Sequence, residues 1–184
     1  MKRKHSVGYF SSYDRGLECL LDMWPKIKEQ VPDATLSIYY GWPTFDQMHS
    51  KNPAMMKWKW QMLRKLHQDG VTEHGRVGHQ ELADAMKEIQ VWAYPTEFTE
   101  IHCITALKAQ EAGCIPVVTD VAALQETVVR GYRVAADDIY SNETAQKTFI
   151  DLVVRAMQEG DESDEDIANR YWPDVAKVWD KALS

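Results

Sequence analysis

The richest stretch of potential chemistry is Pro95-Thr96-Glu97-Phe98-Thr99-Glu100-Ile101-His102-Cys103. Two carboxylates and a histidine stand there just ahead of a predicted helix, whose free N–H groups favour negative charge. A second stretch is Ser11-Ser12-Tyr13-Asp14-Arg15-Gly16. Small hydroxyl residues followed by Arg-Gly at a helix start suit a phosphate: backbone N–H groups point at it, and the arginine adds a forked full charge. A capped helix with a surface arginine fits the same residues equally well. Two glycine turns, Tyr40-Gly41-Trp42 and Gly75-Arg76-Val77-Gly78, complete the set. Neither G-x-G-x-x-G nor G-x-x-x-x-G-K-[ST] occurs, which disfavours a dinucleotide-dependent oxidoreductase and a P-loop NTPase.

Other reactive side chains carry less. His102 and Cys103 have no partners at metal-ligand spacing, so no metal is expected there. Cys114 lies in an apolar run and reads as core. His79 reads as a helix cap or a solvent-facing residue. Trp58 and Trp60 alternate with Lys57 and Lys59, which fits a membrane-surface or acceptor-binding face, the pattern of an interfacial helix. A packed Trp58 and a half-exposed Trp60 are the simpler reading, and no firm membrane association is expected.

The elements that would position these loops follow from periodicity. Val7–Phe10 is a short buried strand. Leu17, Leu20, Leu21, Trp24 and Ile27 step by three and four, predicting a helix from about Arg15, with Asp14 placed to cap it. Ala34–Tyr40 alternates as a second strand. Residues 44–68 are helical in character, with Pro53 opening the main helix and Gly70 ending it. Val71–His74 is a third strand and Gln80–Ile89 a helix. Val91–Pro95 is a fourth strand, followed by a helix to about Glu111, a fifth strand Ile115–Thr119, a helix Val121–Arg130 and a last strand Gly131–Val134. Helices over 143–158 and 165–183 close the chain. The acidic run 159–166 between them reads as a solvated turn. Strands alternating with helices predict an α/β fold: a single domain with a parallel sheet of about six strands and helices on both faces. Such sheets bind ligands beyond the C-terminal ends of their strands, which is where all four loops fall.

Composition bounds the function. A chain of 184 residues is one domain by size, able to bury roughly 70% of its unfolded surface. Its 21 Lys and Arg against 28 Asp and Glu give a net charge of −7. That balance argues against sequence-independent nucleic-acid binding and against electrostatic docking on anionic membranes, and leaves a compact anion as an allowed ligand. Three cysteines in no C-x-x-C pair argue against a disulfide framework. No apolar h-region follows the basic N-terminus, and no window approaches a membrane span. A cytoplasmic location is expected.

These residues, in this order, resemble the C-terminal, donor-binding half of a GT-B glycosyltransferase, closest to glycosyltransferase family 4. The resemblance rests on Ser11-Ser12-Tyr13-Asp14-Arg15-Gly16-Leu17, Pro32-Asp33-Ala34 with Leu36, His74-Gly75-Arg76-Val77, the 95–119 block, and Glu126-Thr127-Val128. It implies a Rossmann-like domain over 1–184, with C-terminal helices 141–184 packing on it. It implies a nucleotide-diphosphate sugar as donor substrate, UDP- or GDP-linked, with sugar transfer under retention and without metal or other cofactor. Arg15, with Ser11, Ser12 and Gly16, would grip the pyrophosphate. Gly41, Gly75, Arg76 and Val77 would pack near the base, with Leu82 flanking it. Glu100, as the catalytic carboxylate, would lie by the transferred sugar. The amides of Ile101, His102 and Cys103 would hold the donor phosphates, and Glu126 would stand near the nucleotide or cap its own helix.

The chain departs from the family in three places. Bulkier residues replace the glycine-rich turn after Glu100. Eight positions after Glu100, where a second Glu normally accepts from the ribose hydroxyls, stands Lys108, which has no acceptor capacity. Losing such a charged hydrogen bond costs about 1.5–3 kcal/mol, or roughly ten- to a hundredfold in affinity. Glu111, three residues on, is placed to pair with Lys108. Finally, only residues 1–6 precede the first strand, so the acceptor-binding half is missing ahead of it. The chain then reads as a minimal enzyme, one subunit of a split enzyme, a non-catalytic nucleotide-binding subunit or a fragment. The acceptor is not readable, and a homo-oligomer or a separate acceptor-domain partner is compatible with all four.

Overall fold

The structure, a computed structural model, describes residues 2–136, 138–160 and 181. Six strands form one parallel sheet: β1 (Ser6–Tyr9), β2 (Thr35–Tyr39), β3 (Val71–Gly75), β4 (Val91–Tyr94), β5 (Ile115–Thr119) and β6 (Tyr132–Val134). Their spatial order is β3-β2-β1-β4-β5-β6. The chain first winds outward from β1 to β3, then returns to β4 and winds the other way. Right-handed crossovers therefore put α1 (Leu17–Gln30), α2 (Pro43–His49) and α3 (Pro53–Lys65) on one face. By the same rule α4 (His79–Glu88), α5 (Ile104–Glu111) and the single turn α6 (Leu124–Thr127) lie on the other. The long α7 (Glu143–Gln158) packs beside α1 and across β4, β5 and β6. The expected α/β architecture, a parallel sheet of six strands with helices on both faces, is what this chain adopts.

The reversal point is the seam between β1 and β4. Only Val7↔Val91 and Gly8↔Trp92 pair across it, so the loops leaving these two strands diverge and leave a crevice at the sheet's C-terminal edge. Every residue of β1 and β4 is buried, whereas the edge strand β3 is largely exposed. The loops after β1 and β4 thus hang from fully buried strands. The apolar stripe of α1 is buried as its spacing predicts, with Leu17, Leu20, Leu21, Trp24 and Ile27 all at or near zero exposure.

Several boundaries differ from the expectations. Asp14 does not cap α1: the N-cap is Gly16, in a left-handed turn, and Asp14 is exposed. The helical stretch 44–68 divides into α2 and α3 because Asn52 caps α3, its Oδ1 accepting from the N–H groups of Ala54 and Met55. Gly70 lies past the end of α3 and enters β3 instead. The helix expected over 121–130 shrinks to one turn. The buried Gln110 of α5 is the cause: its Nε2 donates to the Thr127 carbonyl at 2.8 Å and its Oε1 accepts from Val129 N–H at 2.9 Å. Those bonds replace the ones that would propagate the helix. The expected helix over 165–183 and most of the acidic run 159–166 lie outside the described residues.

Candidate functional site

The crevice is built by a close approach between the loops after β1 and β4. Gly16 has φ 115°, and a Cβ there would stand 2.3 Å from the Pro95 carbonyl oxygen. Only glycine lets the start of α1 press against the chain leaving β4. The contact brings Arg15 Nη1 to 3.3 Å from Glu100 Oε1. The Arg15 guanidinium also lies 3.8 Å from the centroid of the Phe98 ring, a cation–π contact.

Glu100 is held from two further sides. Tyr94 Oη donates to the same Oε1 at 2.8 Å, and Ser11 Oγ donates to Tyr94 Oη at 3.3 Å. Burial pushes the Tyr94 hydroxyl well above the usual tyrosine range, so it stays a donor. The Glu100 carbonyl accepts from Ala123 N–H at 3.1 Å, pinning the loop to the start of α6. Among the described residues, Glu100 Oε2 and the backbone N–H groups of Ile101, His102 and Cys103 find no hydrogen-bond partner. One carboxylate oxygen and three donors therefore remain for a ligand at the mouth of the crevice, beside a guanidinium.

Bulk after Glu100 does not fill the space: the Ile101 side chain is 96% exposed, and His102 is exposed as well. Cys103 is buried, and burial first of all raises its thiol to about 11. It is a packed thiol, not a nucleophile near neutral pH. Ser12 contributes through its carbonyl, which accepts from Tyr9 Oη and from Arg15 N–H and so shapes the turn.

A second cluster forms at the ends of β2 and β3. Gly41 has φ 75°, and a Cβ there would lie 2.7 Å from Arg76 N. The two glycine turns are thus in backbone contact, with Tyr40 N–H donating to the Gly75 carbonyl at 2.9 Å. Tyr13 joins this cluster to the first loop. Its hydroxyl donates to Glu73 Oε1 at 2.7 Å and accepts from Gly41 N–H at 3.0 Å. Arg76 Nη1 donates to Thr44 Oγ1, and Val77 packs against the core.

Leu82 and Lys108 meet in a third place, a groove of about 340 Å³ between α4 and α5. Met86 and Ala112 extend its apolar floor, and His79 and Glu111 stand on its walls. Lys108 and Glu111 share the groove without forming an ion pair among the described residues. His79 is the exposed first residue of α4, after the N-cap Gly78. Glu126 is exposed on α6.

The expected residues therefore fall into three neighbouring sets. Arg15 and Glu100 are in direct contact, with Ser11 joined to Glu100 through Tyr94 and Gly16 set against Pro95; Gly41, Gly75 and Arg76 form the second set; Leu82 and Lys108 form the third. Sequence reasoning missed Tyr94 and Tyr13. Tyr94 sits in a run of apolar strand residues and reads as core; only its place at the strand's last position hints that its hydroxyl reaches the loop. Among the described residues no group of three metal-ligating side chains occurs, and no helix is long and apolar enough to cross a membrane.

Residues 4–158 match the family of glycosyl transferases group 1. No curated protein matches the chain. Among solved structures, the pneumococcal O-GlcNAc transferase GtfA in complex with UDP and GlcNAc aligns with a TM-score of 0.64 at 15% identity. That alignment covers 99% of this chain and 33% of GtfA. The GtfA/B complex aligns with a TM-score of 0.61 at 16% identity, covering 99% and 36%. Anabaena Alr3699/HepE in complex with UDP-glucose aligns with a TM-score of 0.58 at 14% identity, covering 97% and 49%. At these identities the likeness is one of fold. This chain spans between a third and a half of the length of those structures.

Proposed function

Because the chain belongs to the glycosyl transferases group 1 family, we propose that it is the donor-binding domain of a glycosyltransferase and takes a nucleotide-diphosphate sugar in the β1/β4 crevice. The observation that carries this reading is the Arg15–Glu100 pair beside three unpartnered amides. It places a cation and backbone donors where a diphosphate could lie, and a carboxylate oxygen where a sugar hydroxyl could be bound. UDP is the first nucleotide to try, since two of the similar structures hold UDP or UDP-glucose. Residues 1–184 would act as one domain, with α7 closing one face.

In the reaction, the bond from the anomeric carbon to the diphosphate oxygen breaks, a bond from that carbon to an acceptor hydroxyl oxygen forms with retention, and the hydroxyl's proton passes to the departing diphosphate. The leaving diphosphate gains negative charge, which Arg15 and the amides of residues 101–103 would stabilise without reorganising. Glu100 would orient the sugar through Oε2, its other oxygen being fixed by Tyr94 and Arg15. No metal is required in this scheme. The base would rest against Gly41, Gly75, Arg76 and Val77 with Leu82 flanking it, and Lys108, which cannot accept from the ribose hydroxyls, would contact a phosphate or a different sugar.

Calorimetric titration with UDP, GDP, ADP and their sugar conjugates, without metal, tests the reading. Micromolar binding of one nucleotide is expected, and Arg15→Ala should weaken it roughly ten- to a hundredfold, the worth of a charged hydrogen bond. Unchanged affinity in that variant would remove Arg15 from the site. Lys108 in place of an acceptor favours a second reading, a non-catalytic or partner-dependent subunit. It predicts nucleotide binding with no sugar hydrolysis or transfer by the chain alone.

A further inference from the structure

We infer that the outer face of α3 is a docking surface for an anionic lipid bilayer. Residues 51–68 contain Lys51, Lys57, Lys59, Arg64 and Lys65 and no carboxylate. Since the whole chain carries −7, five positive charges in this segment leave −7 − 5 = −12 on the rest. The structure sorts these five cations by face. Lys59 Nζ lies 2.6 Å from Asp46 Oδ1, and Lys65 Nζ lies 2.9 Å from Glu18 Oε1 and 2.7 Å from Asp22 Oδ1. These two point inward and are neutralised. Lys51, Lys57 and Arg64 are exposed and have no acidic partner among the described residues.

The apolar side chains are sorted in the same way. Trp58 packs against the core and donates its indole N–H to Glu18 Oε2 at 2.7 Å. Trp60, two residues on, is 63% exposed, not half-buried as its position in the sequence suggested. Pro53, Lys57, Trp60 and Arg64 follow one another at steps of four, three and four, so they form a single outward stripe. Met56 lines the same surface groove as Trp60. An indole flanked by unpaired cations on one exposed helical stripe matches the headgroup region of a bilayer. There the ring takes the boundary and the cations take the phosphates.

A duplex nucleic acid is a poorer occupant. The stripe is one helix wide and centres on an exposed indole, for which a duplex backbone offers no apolar boundary. A lipid surface presents its charge as small separate headgroups, and contact is limited to the stripe. With two cations on the stripe, Lys51 just ahead of the helix and one ring, the attachment is shallow and salt-sensitive. This inference is independent of the donor site, because α3 contributes no residue to the crevice.

The test is co-sedimentation of the full chain with vesicles of phosphatidylglycerol mixed into phosphatidylcholine, against pure phosphatidylcholine, at low and physiological salt. Binding to the anionic vesicles alone, falling with salt, is expected. The double variant Lys57→Glu with Arg64→Glu should weaken it at least tenfold, and Trp60→Ser severalfold. Circular dichroism and UDP affinity should match wild type in both variants. The inference is overturned if anionic vesicles are not bound, if either set of substitutions leaves binding unchanged, or if duplex DNA is held as tightly as the vesicles. Loss of UDP binding with vesicle binding intact would count against the donor site alone.

Discussion

At the N-terminal edge of the sheet, the Lys2 ammonium donates to the carbonyls of Met86, Ile89 and Ala112 at 2.9, 2.7 and 2.7 Å. At the C-terminal edge, Glu100 Oε2 and three consecutive backbone N–H groups have no partner among the described residues. Lys2 sits where α4 and α5 end, so one cation satisfies the carbonyls that helix termini strand and meets the negative end of both helix dipoles. Around Glu100 the polar groups are arrayed but incomplete, and a large apolar side chain, Ile101, stands in solvent. One edge is closed with protein groups and contributes stability. The other keeps hydrogen-bonding capacity unspent, which is what a ligand site requires. If this division is right, substitutions at one edge should move melting without binding, and at the other the reverse.

The position that should break the division most strongly is Gly16. Alanine there forces a positive φ and a clash with the Pro95 carbonyl. The cost should be about 3 kcal/mol or more, or roughly 2–4 °C of melting temperature per kcal/mol at this chain length. Since Gly16 also sets the Arg15–Glu100 distance, nucleotide affinity should fall with it. A variant that melts like wild type would mean that the two loops can part without loss. At the opposite edge, Lys2→Met keeps the stem but strands three carbonyls, and should cost about 1–3 kcal/mol. UDP affinity should stay within about twofold. A change in affinity larger than that, measured by calorimetry, would show that the edges are coupled through α4 and α5.

The sequence made the two edges legible to different degrees. The order of strands and helices followed from periodicity, because buried stripes such as Leu17–Ile27 must face a core wherever the chain goes. Arg15 and Glu100 could be named because residue type, loop position and family resemblance agreed. Their contact could not be derived, since it depends on a glycine meeting a backbone 79 residues away (Gly16 to Pro95). Tyr94 and Tyr13 were hidden for a related reason: a tyrosine at a strand end looks apolar until its hydroxyl finds Glu100 or Glu73. Lys2 read only as part of a basic N-terminus, and nothing local marks it as a helix cap. The truncation of α6 was equally out of reach, because the competitor for its hydrogen bonds is Gln110, on another helix.

The smallest expected effect is the most discriminating. Arg15 and Glu100 partly neutralise each other across 3.3 Å, with Arg15 about a third exposed and Glu100 12% exposed. A diphosphate must take the guanidinium at least partly away from that carboxylate. Glu100→Gln removes the competitor while keeping an oxygen that can accept from Tyr94. A partly exposed pair of this kind is worth about 0.5–1 kcal/mol, so UDP affinity should rise roughly two- to fivefold. Any sugar transfer should fall at the same time, because the amide cannot match the carboxylate's acceptance of a sugar hydroxyl. Opposite signs for binding and turnover in one variant would separate holding the leaving group from orienting the sugar. A fall in UDP affinity would instead mean that Glu100 chiefly fixes Arg15 in place. The unspent capacity at this edge would then belong to the amides of residues 101–103 alone.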